Sequence, residues 1–386
     1  MALEEAVKRF SASSIKFNFS LNRLAALDHS SLCISVLEHN FPSPGSSANG
    51  SGFPKKRKRP LSFDIQRLTL QQVHDWNADV WCMSPPCQPH TRQHDNQDSD
   101  VIDPRSQSFL HLCQLLHDMN DDSLPRLLLM ENVVGFETSG SCRRWREELN
   151  NRNYAVAHFH LSPTQVGLPN DRPRYFCVAI RISPTDERAT TLPVDNWTHK
   201  IFSVETNLNN SGKEPLIHTK LSELDIRSED SVGDLPTLAT FIDDANDNDK
   251  TLLVPSKLLA SDAAWCFDWV TPRDARSACF TQSYGRFVRG TGSVLYFGPP
   301  DPRLDLKTPT DREFDASWKE GLPPLQGHVR YFSGQEMANL MGFREGFSFP
   351  NDCTPKQQWR LLGNSLNVRV AARMCELGLR AKWEKQ

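Results

Sequence analysis

The chain has 386 residues, 38% of them hydrophobic and 24% charged, with a mean hydropathy of −0.52 and a formal net charge of −3. These values fit two or three globular domains and argue against a generic polycationic coat for nucleic acid, and no apolar run is long enough to span a bilayer. Ten cysteines are too dilute for a disulfide scaffold and none forms a Cys-x-x-Cys pair, so a structural zinc site is not expected and a reducing compartment is.

Residues 42–53 (PSPGSSANGSGF) read as a Gly/Ser/Pro linker. It leads into five consecutive cations, Lys55 to Arg59, held between prolines. A compact basic cluster on a flexible arm is expected to act as a nuclear-import signal, placing the protein in nucleus and cytoplasm; it could equally touch phosphate. From about residue 79 to 182 the pattern alternates strand and helix. Asp79–Met83 reads as a short buried strand, and Pro104–Met119 as a helix with Phe109, Leu112, Cys113, Leu116 and Met119 on one face. Arg126–Met130 is an unbroken apolar strand, Ser141–Asn150 an Arg-rich helix and Tyr175–Ile182 another strand. This is α/β order, in which sites gather at the carboxyl ends of strands. Residues 193–325, rich in Asp, Asn, Ser and Pro, lose the alternation; it returns at 333–342 and in a helix from about 355 to the end. Asp244–Asp249 resembles a calcium loop but lacks the Gly and Glu such a loop requires.

Four motifs carry chemistry. Ser84-Pro85-Pro86-Cys87-Gln88-Pro89 holds a thiol on stiff backbone directly after a strand. Glu131-Asn132-Val133 follows the apolar strand, and in a parallel sheet successive strand ends would set Cys87 and Glu131 in one crevice. A thiolate beside a carboxyl group suits attack on an electron-poor ring, the sulfur adding while the acid serves a ring nitrogen. Arg172 and Arg174 enter the next strand; they are expected to face opposite ways, one of them toward a ring oxygen. Gly363-Asn364-Ser365-Leu366-Asn367-Val368 has the small and amide residues of backbone packed closely on a ligand.

The order Pro-Pro-Cys-Gln, Glu-Asn-Val, Gln-x-Gly-x-Pro-x-x-Arg-x-Arg and Gly-Asn-Ser-x-Asn-Val resembles the cytosine-5 methyltransferases. Asp103-Pro104-Arg105-Ser106, Cys279-Phe280-Thr281 with Tyr284-Gly285, Gly290–Val294, Arg330-Tyr331-Phe332 and Leu340–Phe343 narrow the resemblance to the eukaryotic DNA methyltransferase 2-type branch. It implies a Rossmann-like α/β fold that uses S-adenosyl-L-methionine: a catalytic core in residues 1–192, an inserted target-recognition domain in 193–325, and a return to the core in 326–386. It also implies methylation of an anticodon-loop cytosine of aspartate tRNA, with DNA as the alternative substrate and no membrane or metal. Cys87 would attack C6 of the cytosine, Glu131 contact N3 and the exocyclic amine, Arg174 bind O2, and Arg172 support it. Asp28, Asp64, Ile65, Pro86, Asn364 and Ser365 would line the cofactor pocket. Gln88, Arg92, Cys279, Phe280, Thr281 and Tyr284 would face the substrate.

One departure stands out. The family's Gly-rich cofactor loop precedes a helix that Met1–Ala6 resembles, yet no glycine precedes Gly45. The resemblance therefore implies that the first strand and its loop are missing, with weak cofactor binding or a catalytically silent nucleic-acid-binding protein as the expected consequence. His90 stands where the branch carries Phe. His90 and His94 have no third metal ligand placed by motif, and no His is placed as base to Cys87 for a hydrolase.

Overall fold

The structure is a computed structural model that describes residues 1–2, 4–7, 22–42, 60–86, 101, 103–182, 201–203, 215–221, 234–299 and 325–383. The chain divides into two compact units. One gathers Met1–Leu161, Pro173–Ser228 and Val370–Gln386; the other gathers Ser162–Arg172 and Glu229–Arg369.

In the first unit, β1 (Leu27–Asp28) pairs in parallel with β2 (Leu61–Ser62), and α1 (Ser31–Asn40) starts where Ser30 accepts the Cys33 N–H. Next come α2 (Leu70–Trp76), β3 (Val80–Met83), α3 (Gln107–Asp118), β4 (Leu127–Val133), α4 (Gly140–Asn151), β5 (Tyr154–Leu161), β6 (Arg174–Arg181) and β7 (Ile217–His218). Thr69 opens α2 through a capping box with Gln72, and Ser139 opens α4 by accepting from the Cys142 N–H.

The main sheet has the order β3-β4-β6-β5-β7, so among the described residues β1 and β2 form a sheet of their own and β3 is an edge. The β3–β4 pair is parallel, whereas β6 runs antiparallel to both β4 and β5. Strand β4 is buried over six of its seven residues, as its unbroken apolar run requires of a strand covered on both faces. On one face Phe109 of α3 meets Trp145 of α4 and Phe136, with ring centroids 5.7 and 5.6 Å away. Late in the chain, Gly378 sits so close to the sheet that a Cβ there would fall 2.5 Å from Leu127.

The sequence reading found β3, β4, β6 and the helices α3 and α4, each within a few residues of its observed bounds. It did not find β5, whose Tyr-Ala-Val-Ala-His-Phe-His-Leu run interrupts its strand formers Tyr, Val and Phe with two alanines and two histidines, so no unbroken apolar run marks it.

In the second unit the elements are short: α5 (Ser256–Ala260), β8 (Asp268–Val270), β9 (Ser293–Tyr296), β10 (Val329–Arg330), α6 (Gly334–Leu340) and α7 (Pro355–Gly363). The three strands form a sheet of order β10-β9-β8. Arg330 and Glu336 are fully buried and joined by two bonds of 2.9 Å; Asp247 takes the Arg330 Nε at 2.6 Å. The Arg330-Tyr331-Phe332 motif is thus held from inside, its charge satisfied by carboxylates. The single helix expected from about 355 to the end is broken after Gly363; the last helix, α8 (Val368–Trp383), belongs almost wholly to the first unit and is buried along most of its length.

Among the described residues no helix is long and apolar enough to cross a membrane, and no group of three or more His, Cys, Asp or Glu side chains could hold a metal ion.

Candidate active site

Strand register builds the first part of the site. Met83 of β3 lies opposite Met130 of β4 in parallel, so the next residues, Ser84 and Glu131, are neighbours. The Ser84 hydroxyl donates to Glu131 Oε2. On the other side of β4, antiparallel β6 brings its first residue, Arg174, opposite Val133. Glu131 and Val133 share a face, so a long side chain at Arg174 reaches Glu131 diagonally. The Arg174 Nε stands 3.3 Å from Glu131 Oε1. Glu131 is 9% exposed, and its two oxygens are engaged by a hydroxyl and a guanidinium on either side. The sequence reading placed Glu131 beyond the strand. It lies within β4, two residues before its end, and the antiparallel turn of β6 brings Arg174 to it.

Just beyond β4, Gly135 adopts φ 104°, and its N–H donates to Glu137 Oε2 at 2.8 Å. Glu137 also faces His160 of β5 at 3.1 Å. Burial acts to raise the Glu137 carboxyl, but the His160 contact and the backbone donors outweigh it and hold the group below the usual carboxylate range.

The β1–β2 pair sets two more carboxylates. Asp28 ends β1, half-buried, and accepts the Ser30 N–H at 2.7 Å. Asp64 follows β2 and accepts the Gln66 N–H at 3.0 Å, opening the short turn that starts at Ile65. Asp64 and Pro86 are exposed and Ile65 half-buried.

Arg172 belongs to the second unit and has different work from Arg174. The sequence reading had the two alternate across a strand. Residues two apart on a strand share a face, and only Arg174 is in the strand at all. Arg172 is 2% exposed. Its Nη1 donates to Phe280 O at 2.6 Å, and its Nη2 donates to Gly363 O at 2.9 Å and Ser365 O at 2.6 Å. Cys279 Sγ is 3.2 Å from the same Nη1. One guanidinium therefore clamps the Cys279-Phe280 segment to the turn after α7. Gly363 makes the approach possible, since a Cβ there would lie 2.2 Å from the carbonyl carbon of Thr281. Asn364 caps α7 through its N–H to Arg360 O at 3.3 Å, and its side chain is exposed.

Phe280 and Tyr284 stand inside an aromatic cluster with Phe332, Tyr331 and Trp359, at 1% and 4% exposure. The Tyr284 hydroxyl donates to Ser293 O at 2.6 Å and accepts the Phe332 N–H at 3.0 Å. Burial pushes that phenol well above its ordinary value. The exposed ring of this region is Phe287, which the sequence reading passed over although Arg286-Phe287-Val288-Arg289 carries a basic-aromatic signal. Cys87, Gln88, His90, Arg92 and His94 lie outside the described residues, as does the basic run Lys55–Arg59.

The helix-covered sheet, with a buried carboxylate in β4 held between the Ser84 hydroxyl and the Arg174 guanidinium, defines an α/β protein with a polar site at one end of its strands. The model of the C-5 cytosine-specific DNA methylase family matches residues 52–377, and the chain belongs to that family. It is 31% identical over 382 residues to the human tRNA (cytosine(38)-C(5))-methyltransferase, with 92% of each chain covered. A Dictyostelium discoideum DNA (cytosine-5)-methyltransferase is 33% identical over 335 residues, covering 81% of this chain and 80% of that one. Among solved structures, the Spodoptera frugiperda DNMT2 superposes with a TM-score of 0.67 at 29% identity, covering 98% of this chain and 96% of the other.

Proposed function

We propose that the protein is an S-adenosylmethionine-dependent methyltransferase that methylates C5 of an unpaired tRNA cytosine, with the anticodon loop of aspartate tRNA as the substrate. The observation that carries the reading is the likeness to relatives named as tRNA (cytosine(38)-C(5))-methyltransferases over more than nine-tenths of both chains.

The residues present fit a nucleoside cofactor. Asp28 at the end of β1 and Asp64 just past β2 stand on two adjacent parallel strands, where acceptor oxygens can take ribose hydroxyls and an exocyclic amine. Together with Ile65 and Pro86 they are assigned to holding it; bound there, it would supply the methyl group. Cys87 adds its sulfur to C6, so the C5–C6 double bond becomes a sulfur–carbon bond and an electron-rich C5. Glu131 serves the N3 and amine edge, and Arg174, aimed at Glu131 from β6, serves O2. Loss of the C5 proton to a base then restores the double bond and expels the sulfur as thiolate. The cytosine must leave its stack to reach the sulfur, which costs less in an RNA loop than in a duplex.

DNA is the second reading, supported by the Dictyostelium relative named as a DNA (cytosine-5)-methyltransferase. Methyl transfer from tritiated S-adenosylmethionine to aspartate tRNA and to duplex DNA separates the two: faster tRNA labelling is expected, and faster DNA labelling overturns the choice. No labelling of either, with the cofactor unbound, points to the silent nucleic-acid-binding protein instead.

A further inference from the structure

Beyond Thr281 the chain of the second unit turns back on itself. The Thr281 N–H donates to Thr291 O at 2.9 Å and closes the base of a loop spanning Gln282–Gly290. Within it, Arg286 N–H donates to Ser283 O at 2.9 Å, and the Thr291 hydroxyl donates to Phe287 O at 2.7 Å. Gly285 and Gly290, at φ 72° and 69°, make the bends. Gly285 also lies against Trp359, so closely that a Cβ would fall 2.4 Å from the indole. The base of the loop is therefore fixed by buried aromatic packing, while its tip turns side chains outward.

Phe287 is 56% exposed, the one aromatic among the exposed large apolar side chains of the described residues. A single exposed ring is ordinary on a protein surface; what sets this one apart is its place at the tip of an anchored loop between two arginines. The Arg286 guanidinium carbon lies 5.1 Å from its centroid, covering one face of the ring. Arg289 is also exposed and forms no ion pair among the described residues. An exposed planar ring flanked by two cations matches an unpaired nucleotide: a base to stack and phosphates on either side.

We propose that the Gln282–Gly290 loop is an RNA-contact element in which Phe287 stacks on an unpaired base and Arg286 and Arg289 meet the adjoining phosphates. This deepens the tRNA reading and rests on it. The test measures binding of the full chain to a fluorescein-labelled RNA hairpin with an unpaired loop, and to a blunt RNA duplex. Phe287→Ala weakens hairpin binding about tenfold and leaves duplex binding within about twofold. Phe287→Trp keeps hairpin binding within about twofold, whereas Phe287→Leu, equally apolar but not planar, behaves like the alanine variant. Arg289→Ala lowers the slope of log Kd against log salt by about one. Hairpin binding by Phe287→Ala or Phe287→Leu at wild-type strength overturns the proposal, as does an equal loss on hairpin and duplex. Wild-type protein that binds neither RNA sinks the tRNA reading itself, which keeps the two failures distinct.

Discussion

Replacing Arg172 with alanine should unfold the second unit more readily, because that side chain is a clamp. Its guanidinium donates to three backbone carbonyls, those of Phe280, Gly363 and Ser365. Each bond from a charged donor is worth about 1.5–3 kcal/mol, and each orphaned buried carbonyl costs a similar amount. Water entering the emptied space, and relief from burying a charge, offset part of the sum, leaving a net loss of about 3–4 kcal/mol. At roughly 2–4 °C per kcal/mol for a unit of this size, the transition of the second unit should fall by about 6–16 °C. Scanning calorimetry is the assay, since two units need not melt together. Arg172→Lys, which can serve one carbonyl at a time, should fall in between. A transition for Arg172→Ala within about 2 °C of wild type would refute the clamp and return Arg172 to a role at the substrate.

The neighbouring arginine behaves differently: Arg174→Ala should lower kcat/KM at least about a hundredfold, with a smaller thermal shift than Arg172→Ala; equal shifts in the two would contradict this division of labour. Gly363→Ala forces a methyl group into the Thr281–Gln282 backbone and should cost about 1–3 kcal/mol in urea unfolding; an unchanged midpoint would show that the turn yields freely. Glu137 is held below its ordinary value, so its contribution to stability is present above the unfolded-state value of about 4.3 and is lost as pH falls through the lower folded value. Glu137→Gln should therefore flatten the loss of stability below pH about 4, and an acid limb identical to wild type would rule the pair out as its cause.

How much of this could be read in the sequence varies with the residue. Strand β4 was legible because an apolar run such as Leu127–Met130 has few other places to go, and Glu131 came with it. The direction of β6 was not, since Tyr-Phe-Cys-Val-Ala-Ile reads equally well both ways along a sheet; yet that direction alone sets Arg174 beside Glu131. The expected alternation of Arg172 and Arg174 across one strand failed because two arginines so close in sequence looked like partners, when one ends a segment of the second unit and the other begins a strand of the first. Phe280 and Tyr284 drew notice as motif residues, while their burial could not be read from the motif; Phe287, the exposed ring, lay between two arginines that give it its meaning.

The central claim is that the Cys87 sulfur bonds to the cytosine ring while Glu131 and Arg174 hold its edge. Aspartate tRNA carrying 5-fluorocytosine tests it directly, because fluorine at C5 cannot leave as a proton and the sulfur cannot then be expelled. With S-adenosylmethionine present, intact mass spectrometry should find the protein joined to the RNA, and peptide mapping should place the link at Cys87; Cys87→Ala should form no adduct. An adduct that persists in Cys87→Ala, or methylation of normal tRNA by that variant at the wild-type rate, would contradict the account.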